Sequence, residues 1–191
     1  MGAMAMMSDE CGFGGLRFKS GEHCLQWAEE QLARVKCRGI YAQMVGGAGQ
    51  VSWDEIQDCA QTILVALGEV GDHRAREAYR AVYGAEPSGG LQTLVAFVGD
   101  YLGKHLAGRR REGDYLETIG AVAVMRARQR GHGWKVAPRG AYARELGVTR
   151  QAIDGPGPKA LIDAAEQVVA TWVERGEREF LDVLRAKGVP V

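Results

Sequence analysis

The sequence predicts an all-α protein, and three observations carry that expectation. Apolar residues recur at offsets of three and four in every long patterned stretch of the 191 residues. No stretch alternates apolar and polar residues as a half-buried strand would, and no fixed-period repeat is present. Between Arg139 and Pro158, Ala143, Gly147 and Ile153 carry the spacing of two short helices joined by a glycine turn. The expected architecture is a compact multi-helix body, a helix-turn-helix module near the C-terminus and a closing amphipathic helix. The expected boundaries are a flexible tail over 1–19, the body over 20–131, and the module with the C-terminal helix over 132–191.

The elements follow in order. Cys-Gly-Phe-Gly-Gly-Leu before Ser20 is too broken by glycine for a helix. Ser20 then caps a helix with Leu25, Ala28, Leu32 and Val35 on one face, and Gly39 stops it. Trp27 lies beside that face as core or partner contact. The cluster Gly46-Gly47-Ala48-Gly49 lacks the following Gly-Lys-Ser/Thr of a phosphate loop and is expected to be a connection. Ser52 and Glu55 form a capping box for a helix carrying Trp53, Ile56, Ala60, Ile63, Leu64, Leu67 and Val70. Asp72 caps a shorter helix with Ala75, Ala78, Tyr79 and Val82 inward.

After the loop Glu86 to Gly90, a helix with Leu91, Leu94, Val95, Val98, Tyr101, Leu102 and Leu106 is expected, closed by Gly108. Tyr115, Leu116, Ile119, Val122 and Ala123 mark another, which ends in Arg126, Arg128 and Arg130. Gly131 to Pro138 is turn-rich, and its His132 and Trp134 are expected either to stack on a base or sugar or to pack under the loop. The last helix carries Leu161, Ala165, Val168, Trp172, Phe180 and Leu184, as one helix kinked at Gly176 or as two.

The charge distribution suggests what the body serves. Twenty-four basic residues balance twenty-four acidic ones. Between Lys104 and Arg150, however, eleven basic residues stand against four acidic ones, which is expected of either a local polyanion site on a neutral chain or arginines that solvate helix faces. In the module, Thr149 caps the second helix, Arg150 and Gln151 lie on its exposed first turn to read guanine and adenine, and Lys135, Arg139 and Arg144 hold phosphates. Asp154-Gly155-Pro156-Gly157-Pro158 breaks that helix after little more than a turn, so either the reader is abbreviated or a separate helix from Lys159 supplies the missing packing.

Other classes find less support. Cys11, Cys24, Cys37 and Cys59 lack zinc-site spacing, and His23 and Cys24 point in different directions on a helix. No paired carboxylates or nucleophile–base set assembles, so neither an enzyme nor a cofactor or metal is expected. No apolar run approaches the roughly 20 residues of a membrane span, and no leader is apparent, so the cytoplasm is the expected location.

The layout of helical body, Gly140-Ala-Tyr-Ala-Arg-Glu-Leu-Gly-Val-Thr-Arg-Gln-Ala-Ile153 and a closing helix from Lys159-Ala160-Leu161 resembles the Q-type transcription antiterminators of lambdoid phages and their bacterial relatives. The motif itself is shared with many regulators and with the promoter-reading region 4 of sigma factors. The resemblance implies binding to double-stranded DNA near a promoter, loading onto sigma-paused bacterial RNA polymerase, and narrowing of the RNA exit channel so that terminator hairpins cannot form. Nascent RNA would then follow Arg109, Arg110, Arg111, Arg126, Arg128 and Arg130. The alternative is a dimeric helix-turn-helix repressor or activator.

Overall fold

The computed structural model describes residues 18–37, 53–85, 90–105 and 113–191. Every regular element among them is helical, and the all-α expectation holds. None of these helices is long and apolar enough to cross a membrane. The Ser52 cap, the Gly46–Gly49 cluster, Leu106 and the Arg109–Arg111 run lie outside the described residues.

The chain forms two compact units, Met1–Val70 with Glu179–Val191, and Gly71–Arg178. This division cuts across the expected boundary after residue 131, because the C-terminal helix contributes to both units.

In the first unit, α1 (Gly21–Cys37) packs on α2 (Trp53–Gly68). Ser20 starts α1 as expected, its hydroxyl accepting from the His23 N–H at 3.2 Å. The buried face of α1 is Cys24, Leu25 and Ala28; that of α2 is Cys59, Ala60, Ile63, Ala66 and Leu67. His23 is exposed while Cys24 is buried, so the two do point apart. Phe18, within the expected tail, is buried: its N–H donates to the Pro190 carbonyl at 3.2 Å and its ring meets Trp27 edge to face at 5.3 Å. Phe180, Leu184 and Val189 complete the buried set, and Lys187 Nζ reaches Glu69 Oε1 at 2.8 Å.

The second unit contains α3 (His73–Tyr83), α4 (Gly90–His105), α5 (Gly113–Gly131), a 3-10 turn (Arg139–Ala143), α6 (Gln151–Asp154) and most of α7 (Pro156–Ala186). Asp72 caps α3 as its sequence predicts, accepting from the N–H groups of Arg74 and Ala75 at 3.0 and 3.2 Å. Helices α3, α4 and α5 pack on one another through Ala75, Ala78, Tyr79 and Val82, through Leu94, Val98 and Leu102, and through Leu116, Ile119, Val122 and Ala123. The apolar periodicity located these faces.

On α7 the buried stripe is rotated from the expected one. Leu161 and Ala165 are buried as expected, but Ile162, Val169 and Val173 take the inward positions, and Val168 and Trp172 are half-buried. Trp172 instead meets the Tyr101 ring edge to face at 6.0 Å, with the Arg74 guanidinium 5.8 Å from its centroid. A large ring gains from a partly exposed seat where it has an aromatic and a cationic neighbour. The helix runs unbroken through Gly176, whose role is close approach: a Cβ there would stand 2.3 Å from the Ala75 carbonyl oxygen and 2.9 Å from Tyr79 Cβ.

Candidate nucleic-acid interface

The segment from Gly131 to Pro158 folds as a succession of short pieces tied to α5 and α7. Helix α5 ends when Gly133, at φ +66°, turns left-handed; its N–H bonds the Arg130 carbonyl at 3.0 Å and the Trp134 N–H bonds that of Gln129 at 2.8 Å. This pair of bonds is a Schellman ending, which satisfies carbonyls that the helix leaves open. The same device recurs one step on. Gly147, also at φ +66°, lets its own N–H reach the Arg144 carbonyl and the Val148 N–H reach that of Ala143 at 2.9 Å.

The expected turn glycine is therefore a turn glycine, but what precedes it is not an α-helix. Arg139–Ala143 is 3-10, and residues 144–147 continue it as turns. The segment lies between Pro138, which has no N–H to donate, and the left-handed turn at Gly147, and it closes in 3-10 and turn bonds with a single α-type bond, Leu146 N–H to the Tyr142 carbonyl at 3.0 Å.

Thr149 starts α6, its Oγ1 accepting from the Ala152 N–H at 3.3 Å. Ile153 is fully buried, as are Tyr142 and Ala143 nearly so, and these anchor the piece. Gly155 closes α6 through its N–H to Gln151 O at 3.2 Å and opens α7, receiving the Lys159 N–H at 2.9 Å. Pro156 occupies the first helical position, where a missing N–H costs nothing. The Gly-Pro break thus ends the second helix after four residues.

The turn Ala137 to Tyr142 is docked by side chains that sequence reasoning did not single out. Gln129 Oε1 accepts both the Ala137 N–H at 2.9 Å and the Tyr142 hydroxyl at 2.8 Å. Burial pushes the Tyr142 phenol above its ordinary range, with the Arg126 charge opposing and Glu145 and Glu166 adding to the rise. Glu166 accepts from Arg126 Nε at 2.6 Å and pairs also with Arg130, while Asp163 pairs with Arg139. The only prior hint of these roles was that Glu166 and Asp163 fall a helical turn apart on the closing helix.

The expected contact residues consequently separate into two groups. Arg126 and Arg128 are spent inside the unit: Arg126 also donates to the Ala137 carbonyl, and Arg128 donates to the Ala81 and Gly84 carbonyls at 2.7 and 2.9 Å, closing the C-terminal end of α3. Arg130 and Arg139 are ion-paired, the first half-exposed and the second mostly covered. By contrast, Lys135 and Arg144 are exposed, with no ion pair to either among the described residues, and the same is true of Lys159 on α7. Thr149 and Gln151 are exposed.

Arg150 is 78% exposed and rests on Asp154 one turn along, Nε to Oδ2 at 3.1 Å. Such an exposed pair contributes only about 0.3–0.5 kcal/mol, so it directs the guanidinium without locking it. The pair sits over Gly140, where an added Cβ would come 2.3 Å from Asp154 Oδ2 and 2.7 Å from Arg150 Nε. The 3-10 turn and α6 are therefore held together at this point, and Lys135, Arg144, Arg150 and Gln151 remain exposed along the segment that follows the Gly133 turn and contains the Gly147 turn.

No protein-family model, curated protein or solved structure matches the chain.

Proposed function

We propose that the protein is a DNA-binding transcription antitermination factor whose address element is the abbreviated helix pair around Gly147. The observation that carries the DNA reading is the first turn of α6, where Arg150 and Gln151 project from a Thr149-capped start fixed by a left-handed glycine. A bidentate arginine on guanine and a bidentate amide on adenine each discriminate by roughly 1–3 kcal/mol. Lys135 and Arg144, exposed and without ion pairs among the described residues, suit phosphate positioning. Arg139, half-committed to Asp163, is a weaker candidate for that role.

The shortness of the element favours antitermination over a dimeric repressor. A four-residue helix offers few base contacts, so stable occupancy requires a second surface, which polymerase and sigma at a promoter would supply. Arg109, Arg110 and Arg111 stay in the proposal as contacts to nascent RNA; Arg126 and Arg128, committed to Glu166 and to the end of α3, leave it.

Two measurements test the reading. Selection from random duplex DNA should recover a short preferred site, and Arg150→Ala should lose preference at one base pair by about 1–3 kcal/mol; equal affinity of the variant for all duplexes relative to wild type would sink the base-reading role. Transcription by bacterial RNA polymerase from a template carrying that site, a promoter and a downstream terminator should show read-through. Repression without read-through would favour the repressor instead.

A further inference from the structure

The loop after α5 carries a feature that the duplex-reading element does not use. Among the described residues two large apolar side chains are markedly exposed, Val65 and Trp134, and Trp134 is 57% exposed. It is not a loosely hanging ring. The imidazole of His132 lies against it with centroids 4.6 Å apart and planes 18° from parallel, a stacked pair.

The backbone beneath that pair is fixed at each residue: the His132 N–H bonds Arg128 O at 3.0 Å, the Gly133 N–H bonds Arg130 O at 3.0 Å and the Trp134 N–H bonds Gln129 O at 2.8 Å. The positive φ of Gly133 is what brings residues two apart onto the same side, where their rings meet. One residue further on stands Lys135, exposed and without an ion pair among the described residues.

The stack leaves Trp134 more exposed than covered. Its chemistry is that of a base-stacking platform: a flat π surface, already ordered and backed by a second ring, with a cation one residue away at the reach of a phosphate. A base inside a duplex has both faces covered by its neighbours, so such a platform selects unpaired bases. We infer that Trp134, backed by His132, stacks on an unpaired nucleobase of single-stranded nucleic acid, with Lys135 holding the adjoining phosphate. This rests on the reading of the chain as a nucleic-acid-binding protein, and it adds a second, single-strand contact to the duplex contact of Arg150 and Gln151.

The test uses the full chain with oligouridylate and oligothymidylate of about twelve nucleotides, long enough for one such site. Inorganic polyphosphate serves as a probe of charge without bases. Trp134→Ala should weaken binding of one or both oligonucleotides by between about fivefold and a hundredfold and leave polyphosphate binding unchanged. Trp134→Phe should retain most of the affinity, and Lys135→Ala should weaken all three probes. The RNA and DNA arms decide which strand the platform prefers.

The inference is overturned if Trp134→Ala leaves both oligonucleotides bound as tightly as wild type, or if it weakens polyphosphate equally. Loss of polymerase binding with oligonucleotide affinity intact would make the surface a protein contact and would also overturn it. Duplex selection with Arg150→Ala fails or succeeds independently of these arms, so the two ideas are separable. Since Trp134 is mostly exposed, an unchanged far-ultraviolet circular dichroism spectrum is expected; if the alanine variant is unfolded, Trp134→Gln, which also lacks a ring, is read by the same criteria.

Discussion

At the scale of single residues, Gln129 carries more than its place among arginines suggests. One side-chain oxygen satisfies both the Ala137 N–H and the Tyr142 hydroxyl, so Gln129→Ala strands two donors at once. An unsatisfied buried donor costs about 1–3 kcal/mol. Both bonds are only partly buried, so water recovers some of that cost and the variant should lose roughly 1–3 kcal/mol in denaturant melts. It should also weaken duplex binding, although Gln129 itself is no proposed DNA contact; Tyr142→Phe should lose less, because the amide bond to Ala137 survives. Equal losses from the two would show that the Ala137 bond contributes nothing.

Cys24 gives a pH prediction. It is fully buried, and burial pushes its thiol from an ordinary 9.0 up to about 12. Between those values the unfolded chain has released the proton and the folded chain keeps it, so the folded state binds more protons and stability falls as pH rises through that window. Cys24→Ala should flatten the decline, measured as urea midpoints at pH 8 and above. At neutral pH the wild-type thiol should react with alkylating reagents only upon unfolding, since the thiolate is the nucleophile.

At the scale of elements, two glycines separate strain from space. Gly147 has nothing within 4 Å of an added Cβ, but its φ of +66° is left-handed. Gly147→Ala should therefore cost about 1–2 kcal/mol from backbone strain alone. Gly176 sits in an ordinary helix, yet its Cβ would strike the Ala75 carbonyl at 2.3 Å, backbone that cannot swing aside. Gly176→Ala should cost about 1–3 kcal/mol by overpacking, and more for larger residues. Thermal melts of the two series distinguish the causes: at position 147 larger side chains should do little further harm, whereas at 176 harm should grow with volume.

These elements also show what was legible in advance. The caps at Ser20, Asp72 and Thr149 and the Gly-Pro break are local, each needing only three or four neighbours, and their residue types specify them. The first helix of the reading pair was not legible, because Ala143 and Gly147 have the same spacing whether the intervening turn is α-helical or 3-10. The stripe of α7 was legible only to within one position: Val168 and Val169, or Trp172 and Val173, are equally apolar neighbours, and packing chose between them.

At the scale of the molecule, the two units should respond differently to loss of the C-terminal end. Phe180, Leu184 and Val189 are buried in the first unit, and Pro190 O accepts the Phe18 N–H. Ending the chain after Arg178 should expose the cores of α1 and α2 while α4 and α5 keep their own, so hydrogen exchange should lose protection in α1 and α2 alone. Comparable loss in α4 and α5 would show that the units fold as one.

The charge pattern shows most clearly where the sequence stops. By itself it determined the helical class, the caps and turns, and the crowding of basic residues between Lys104 and Arg150, because these depend on neighbours along the chain. Which of those charges face solvent unpaired was a tertiary decision. Glu166 and Asp163 on α7 neutralise Arg126, Arg130 and Arg139, and the carbonyls closing α3 engage Arg128, so among the described residues of the basic segment these four cations are committed within the fold. A carboxylate some forty residues away along the chain is invisible to any local pattern, yet the fold brings Glu166 within a hydrogen bond of Arg126, and Coulomb attraction depends on separation in space and on the local dielectric, not on separation along the chain.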